Sequence, residues 1–196
     1  MWPAVKKPIL PADFEASLET VAGMTWHPQF IVLHNTSIPT LKQRPDGFTK
    51  SHIEALESYY KNDQRWSGGP HYFIDDHVIW CFNPLQYPGV HSPSWNKVAI
   101  GIEMLGEYNV EPFTVGRGAI VRDNAVVAIA ALSKKFGFKP DAWKFHREDP
   151  RTDHDCPGTN AFRDRDGLVR DVSARMSVSK AHAWDFISPD SAFKKG

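Results

Sequence analysis

Apolar positions recur along the chain with two different periods, and each period predicts one kind of secondary structure. Short apolar runs bounded by turn residues predict strands at residues 30–34, 71–75, 78–82, 98–105 and 143–146. Apolar side chains spaced three or four residues apart predict helices at residues 51–63, 118–136 and 160–176. Strands that alternate with helices favour a single α/β domain, in which helices flank a central mixed β-sheet.

Local signals support two of the helix ends and the first hairpin. Ser51 and Glu54 have the spacing of a capping box, which predicts that the first helix begins at Ser51. Gly137 follows the last apolar position of the 118–136 helix, where a C-capping glycine is expected. The polar pair Asp76 and His77 separates two strand candidates and predicts a tight hairpin turn.

The two ends of the chain show weaker patterns than its middle. Residues 1–27 carry three prolines and little periodicity, so we expect an N-terminal extension wrapped on the domain. Residues 28–176 contain all the regular patterns, and residues 177–196 are expected to form an irregular C-terminal tail. No internal repeat or linker divides the chain, which predicts one compact catalytic or binding domain.

The charge balance narrows the classes of partner. The sequence has 23 Lys and Arg residues against 23 Asp and Glu residues, and a neutral chain without a basic cluster argues against nucleic-acid binding. No apolar run approaches the about 20 residues that span a bilayer, so we expect no membrane insertion. The first residues lack the apolar core of a secretory signal, which predicts synthesis in the cytoplasm. We expect a monomer.

Three residues have the chemistry of a zinc site. His34 and His146 each end a predicted strand, and Cys156 follows His146 in a polar loop. Two imidazoles and a thiolate are a common zinc set, and three protein ligands leave the fourth tetrahedral position open, as in catalytic sites. The spacing alone is a weak signal, because a single His at a strand end is more often a surface or capping residue. Cys156 and Cys81 could also form a disulfide, although a reduced compartment favours free thiols.

Four segments give this pattern a more specific meaning. The segments IVLHNT, GPHYFID, GVHSPSWNKVAIGIEM and FHREDPRTDHDCPG occur in this order, and together they resemble the type 2 N-acetylmuramoyl-L-alanine amidases. The resemblance spans about residues 28–163 and implies an enzyme that cuts the bond between N-acetylmuramic acid and L-alanine in peptidoglycan or muropeptides. It implies Zn²⁺ as the cofactor, in a surface cleft at strand ends, with the family's zinc ligands on His34, His146 and Cys156.

The same resemblance suggests roles for other residues. It implies that Glu103 activates water and that His154, where many members have Lys and others Thr, contacts the substrate carbonyl. A His there can donate one N–H to a developing oxyanion. The loop residue His91 and Asn35, next to a ligand, are candidate substrate contacts, although each could instead serve only the local backbone. Pro70 stands where some phage members have a catalytic Tyr, which argues against a Tyr-based mechanism.

Other functions and roles remain open at this level. Some members of the same fold family are recognition modules that bind peptidoglycan without cleaving it and lack the ligand cysteine, which is present here as Cys156. A metalloprotease of the common zinc class is disfavoured because the sequence has no H-E-x-x-H motif. The resemblance fits either endolysin-like lysis of the cell wall or turnover of muropeptides, and the endolysin-like role is favoured.

Overall fold

A computed structural model describes residues 2–177. Within these residues, six strands form one sheet in the order β1-β4-β3-β5-β2-β6. Their bounds are Lys7–Ile9 (β1), Phe30–Asn35 (β2), Tyr72–Ile74 (β3), Ile79–Cys81 (β4), Ala99–Met104 (β5) and Trp143–Phe145 (β6). The sheet is mixed, as the sequence predicts, because β1, β4 and β3 pair antiparallel while β3, β5, β2 and β6 pair parallel.

The parallel strands form the buried centre of the sheet. In β2 the side chains of Ile31, Val32 and Leu33 are fully buried, and in β5 Ile100 and Ile102 are fully buried. Continuous apolar character of this kind is typical of parallel strands that are covered on both faces. The carboxyl ends of β2, β5 and β6 therefore lie together at one edge of a rigid sheet.

In the described part of the chain, five α-helices accompany the sheet. They are Phe14–Glu19 (α1), Lys50–Ser58 (α2), Gly116–Phe136 (α3), Thr159–Arg163 (α4) and Arg165–Ser177 (α5). α3 packs against β3 and β5 and carries α1 and α5 on its other sides. It ends at Gly137, whose φ of 71° is left-handed, so the predicted C-cap is confirmed.

The prediction of a capping box at Ser51 and Glu54 is wrong, because the helix begins before Ser51. Thr49 is the N-cap of α2: its Oγ1 accepts from the backbone N of His52, and the backbone N of Thr49 donates to Nδ1 of His52. This reciprocal pair uses a ring nitrogen of His52 in place of the carboxylate that the pattern suggested. α2 then continues into a π-helical segment, Tyr59–Asp63, within the predicted range.

Near both ends of the described chain, the observed secondary structure differs from the prediction. Residues 7–9 add an edge strand that pairs with β4, and Phe14 and Leu18 of α1 are buried in the core. The start of the chain therefore completes the sheet as well as covering it. The single helix predicted over residues 160–176 is two helices, which meet at Asp164. The predicted tail, residues 177–196, lies outside the described residues beyond Ser177.

Within residues 2–177, no helix has both the length and the apolar character that crossing a bilayer requires.

Candidate metal centre and cleft

The predicted ligands meet at the carboxyl ends of the parallel strands. His34 lies near the end of β2, His146 directly follows β6, and Cys156 lies in the loop between His146 and α4. One ligand atom from each of these three residues lies within 4.8 Å of the other two. This is the only set of three such residues in the described part of the chain that is arranged to hold a metal ion. The strand ends and the loop thus bring together residues that are far apart in sequence.

The cluster fits a zinc ion on two further observations. Nε2 of His146 is buried and has no hydrogen-bond partner among the described residues. A buried polar atom without a partner is costly, and a bound cation would satisfy a ring nitrogen in this position. The backbone N–H of Asn35 points to Sγ of Cys156 at 3.3 Å, a contact that stabilises the thiolate form that zinc requires.

Burial shifts the pKa values of the three candidate ligands. It lowers the pKa of His34 well below its ordinary value, and the neighbouring imidazoles of His91, His146 and His154 lower it further. Burial, followed by the charge of His154, lowers the pKa of His146 to about 4. Both rings are therefore neutral at pH 7, which is the form that binds a metal. Burial also raises the pKa of the Cys156 thiol, and a divalent cation would offset that penalty.

Glu103 lies beside the cluster. It is the register partner of His34 across β5 and β2, and its Oε1 is 4.0 Å from Nδ1 of His34. Burial raises the pKa of Glu103 to about 8. A carboxyl group with a raised pKa in a cleft is a common feature of general acids and bases, and an adjacent cation would shift it toward the carboxylate.

His154 is the exposed member of the group. Its ring centroid is 5.6 Å from that of His146, and the rings are nearly parallel, with an interplanar angle of 30°. The backbone N of His154 donates to Oγ1 of Thr152, while the ring makes no hydrogen bond to the described residues. The imidazole therefore lines the cleft with a ring N–H that is available to a ligand.

The other two predicted residues lie in the same cleft but already have protein partners. The Asn35 side chain donates to the carbonyl oxygen of Gly106. His91 is 7% exposed, with Nδ1 at 3.1 Å from Nε2 of His34 and Nε2 at 3.1 Å from the carbonyl oxygen of Ala99. Neither ring nitrogen is left for a substrate, so the prediction of a substrate contact at His91 gains no support.

All seven predicted residues line one cavity of about 300 Å³. Two aromatic residues that the sequence reasoning missed, Tyr60 and Trp66, line it as well. Their rings stack with centroids 5.1 Å apart and an interplanar angle of 9°, and Trp66 is 37% exposed. Trp66 also borders two neighbouring cavities, one lined by His146 and His154 and the other by Asn35 and Glu103. Trp66 lies three residues before the start of the GPHYFID segment, and nothing in the local sequence marks it as a cleft residue.

Asp149 is a further residue that the sequence reasoning did not single out. Its carboxylate accepts hydrogen bonds from Oγ of Ser92 at 2.5 Å and from the backbone N of Ser94 at 3.0 Å. Burial opposes ionisation of Asp149, but the bonds from Ser92 and Ser94 outweigh it and lower its pKa to about 2. The loop after His146 is thereby tied to the loop that carries His91.

A family model matches this chain, whereas no curated protein does. A family model described as N-acetylmuramoyl-L-alanine amidase matches residues 24–159. The search of curated proteins returned no match.

Three solved structures illustrate the likeness of fold. The endolysin N-acetylmuramoyl-L-alanine amidase LysCS from Clostridium intestinale URNW is 24% identical over 74% of this chain and 85% of its own, with a TM-score of 0.57. A point mutant of Drosophila PGRP-LB in complex with tracheal cytotoxin is 19% identical over 72% and 81%, with a TM-score of 0.56. The catalytic domain of XlyA is 21% identical over 76% and 89%, with a TM-score of 0.58.

Proposed function

This chain belongs to the N-acetylmuramoyl-L-alanine amidase family, and from that premise we propose that it hydrolyses the bond between N-acetylmuramic acid and L-alanine with one zinc ion held by His34, His146 and Cys156. The observation that carries the proposal is the convergence of these three ligand atoms within 4.8 Å, next to Glu103. An amidase needs both a water nucleophile and a polarised carbonyl, because an unactivated amide is very stable in water.

The ligand set suits that chemistry. Two neutral imidazoles and one thiolate carry a total charge of −1, so a divalent cation in the site keeps a net positive charge. When bound, zinc would supply Lewis-acid chemistry by acidifying water toward a pKa of about 7 and by polarising the amide carbonyl. The orphaned Nε2 of His146 and the amide contact to Cys156 support this assignment.

Glu103 has the position of the proton carrier. Its carboxylate takes a proton from the attacking water and later returns it to the nitrogen of the leaving alanine, a two-way duty that one carboxylate can perform. His154 donates a ring N–H to the oxyanion that forms when water adds to the carbonyl carbon. Its place on the cleft wall, with no protein partner for the ring among the described residues, supports this role.

We infer that the substrate is peptidoglycan or a soluble muropeptide and that the enzyme acts in endolysin-like cell-wall lysis or in muropeptide turnover. PGRP-LB, whose fold this chain shares, is solved with tracheal cytotoxin bound. A non-catalytic recognition module is the second candidate on the same fold. The complete ligand set with Cys156 favours the enzyme over the module.

Digestion of purified sacculi and of soluble anhydro-muropeptides, followed by mass spectrometry, tests the proposal. We expect free stem peptides with an N-terminal L-alanine and intact glycan strands. The preferred substrate then separates wall lysis from muropeptide turnover. New reducing sugar ends without new alanine amino groups would indicate a glycosidase and contradict the proposal. Binding of sacculi without any cleavage by zinc-loaded protein would favour the recognition module.

A further inference from the structure

His34 is held between two side chains that face its two ring nitrogens. Nε2 lies 3.1 Å from Nδ1 of His91, and Nδ1 lies 4.0 Å from Oε1 of Glu103. His34 is 2% exposed and His91 is 7% exposed, so water does not compete for the contact between the two rings. At 3.1 Å, one of the two facing nitrogens must donate a proton to the other.

The partner on the far side of His91 decides which nitrogen donates. Nε2 of His91 lies 3.1 Å from the carbonyl oxygen of Ala99, which can only accept, so this nitrogen carries the hydrogen. His91 is 7% exposed and its ring bonds to no carboxylate among the described residues, so the ring is buried in its neutral form, and a neutral imidazole has only one N–H. Nδ1 of His91 is therefore an acceptor, and the proton in the contact belongs to Nε2 of His34.

We propose that His91 is a positioning residue that holds His34 in its Nε2–H tautomer and so presents the lone pair of Nδ1 to the metal. This inference rests on the proposed zinc function. Metal-binding histidines usually donate their other N–H to a carboxylate, a backbone carbonyl or water. Here Nδ1 of His91 accepts that N–H, and Nε2–H of His91 in turn donates to the carbonyl oxygen of Ala99.

The surrounding structure fixes the His91 ring in this orientation. A Cβ on Gly101 would lie 2.5 Å from Cγ of His91, so only glycine at this position in β5 leaves room for the ring. The side chain of Asn96 accepts from the backbone N of both His91 and Ser92, each at 2.7 Å. Asp149 holds the same loop through Ser92. The segment GVHSPSWNKVAIGIEM thus contains the ring, its loop brace Asn96, its acceptor Ala99 and the glycine that accommodates it.

The wild-type protein gives the first test. Nitrogen-15 NMR of metal-free protein, with long-range proton–nitrogen correlations, distinguishes the two tautomers of each buried histidine. We expect His34 to carry its proton on Nε2, and His91 likewise. A His34 ring protonated on Nδ1 would overturn the proposal.

Zinc affinity of variants gives the second test, measured by competition with a chromogenic chelator and zinc alone as the probe. His91→Phe keeps a ring but removes the acceptor, and we expect zinc affinity to fall by about 10-fold to 100-fold. His91→Asn places an oxygen where Nδ1 was, and we expect it to recover much of that loss. Zinc affinity in His91→Phe equal to that of the wild type would overturn the proposal.

His71→Phe is the matched control for loss of a buried imidazole. His71 is fully buried, its Nδ1 accepts from the backbone N of Gly101, and its Nε2 pairs with the carbonyl oxygen of Tyr87. It contacts no proposed ligand through these bonds, so we expect lower stability but unchanged zinc affinity. An equal loss of affinity in the His71 and His91 variants would show a general packing effect and overturn the proposal.

Different results would contradict the proposed zinc function and the role of His91. Wild-type protein that binds no zinc would contradict the proposed function itself. Wild-type protein that binds zinc, together with a His91→Phe variant that binds it equally well, would contradict only the role of His91.

Discussion

Oε1 of Glu103 lies 4.0 Å from Nδ1 of His34, and the pairing of two parallel strands fixes that relationship. The two residues are register partners in β5 and β2, so their side chains leave the sheet on the same face. A shift of the register by one residue would put them on opposite faces. The sheet therefore positions the proposed base against the proposed ligand without help from a loop.

Replacing the carboxylate of Glu103 by an amide tests its role as proton carrier. We expect Glu103→Gln to keep the fold and one zinc per chain while kcat falls by about 10²-fold to 10⁴-fold, the range for losing a general base. Turnover of a defined muropeptide and metal analysis of the same sample provide the measurement.

Glu54→Gln is the control for removing one carboxylate charge. Glu54 is an exposed residue of α2 that pairs with Lys50 at 3.9 Å, and its side chain does not line the cleft. We expect its turnover to match the wild type. Near wild-type turnover in Glu103→Gln as well would show that the carboxylate takes no part in proton transfer.

The two cysteines allow a matched test of the metal centre. Both are free thiols, and Cys81 in β4 is not part of the metal cluster. We expect Cys156→Ser to weaken zinc binding much more than Cys81→Ser, and we expect a chelator to abolish wild-type activity. Zinc content by mass spectrometry and activity after restoring zinc are the measurements. Active, freshly purified wild-type protein without zinc would contradict the prediction.

Much of the fold could be predicted because strong local patterns coincide with the tertiary structure. The helix that ends at Gly137 and the hairpin between β3 and β4 each follow from periodicity together with local turn or capping residues. The start of α2 could not be found in this way, because His52 accepts the reciprocal capping bond that a Glu usually accepts.

The candidate site, too, could be predicted only in part from local sequence. The ligand candidates could be recognised from motifs, but the partner of each ring nitrogen depends on segments distant in sequence. His91 meets His34 across 57 residues, and Ser92 meets Asp149 across another 57. No pattern along the chain reports such contacts, so His91 was interpreted as a substrate contact and Asp149 received no role. Trp66 was missed because nothing local shows that its ring borders the cleft.

The ion pair between Asp76 and Arg117 gives a prediction about acid stability. Nε and a terminal nitrogen of Arg117 donate to the two carboxylate oxygens of Asp76 at 2.6 and 2.7 Å. Burial opposes ionisation of Asp76, but the hydrogen bonds from Arg117 outweigh it and lower its pKa. The stabilisation is therefore complete above the ordinary carboxyl pKa and is lost as the pH falls through the lower pKa of the folded state.

We expect Asp76→Asn to reduce the free energy of unfolding at pH 7 by about 1.5–3 kcal/mol, the range for a hydrogen bond to a charged group. Urea denaturation of both proteins at pH 7 and near pH 3 provides the measurement. The difference between them should shrink in acid, because below the ordinary carboxyl pKa the unfolded wild-type chain takes up a proton that the folded state binds more weakly. A difference that stays constant with pH would show that the charge of Asp76 contributes nothing.

Variants of His154 test whether the residue two positions before Cys156 acts through its charge or through a hydrogen bond. Its ring stacks on His146 with centroids 5.6 Å apart and lines the cleft. If it donates to the oxyanion, His154→Ala should lower kcat by about 10² to 10³, the cost of one lost donor, with little change in zinc content. If it only braces the loop and the His146 ring, the first effect should be lower zinc affinity or lower stability.

Two further variants of exposed side chains separate these outcomes. His154→Lys keeps a donor at the same place with a permanent charge, so retained activity there would support a group that faces the substrate carbonyl. His27→Ala removes an exposed imidazole to which no role is assigned, and we expect it to leave turnover and zinc content unchanged. Full turnover in His154→Ala would remove His154 from the mechanism and leave Glu103 as the single protein group that assists the metal.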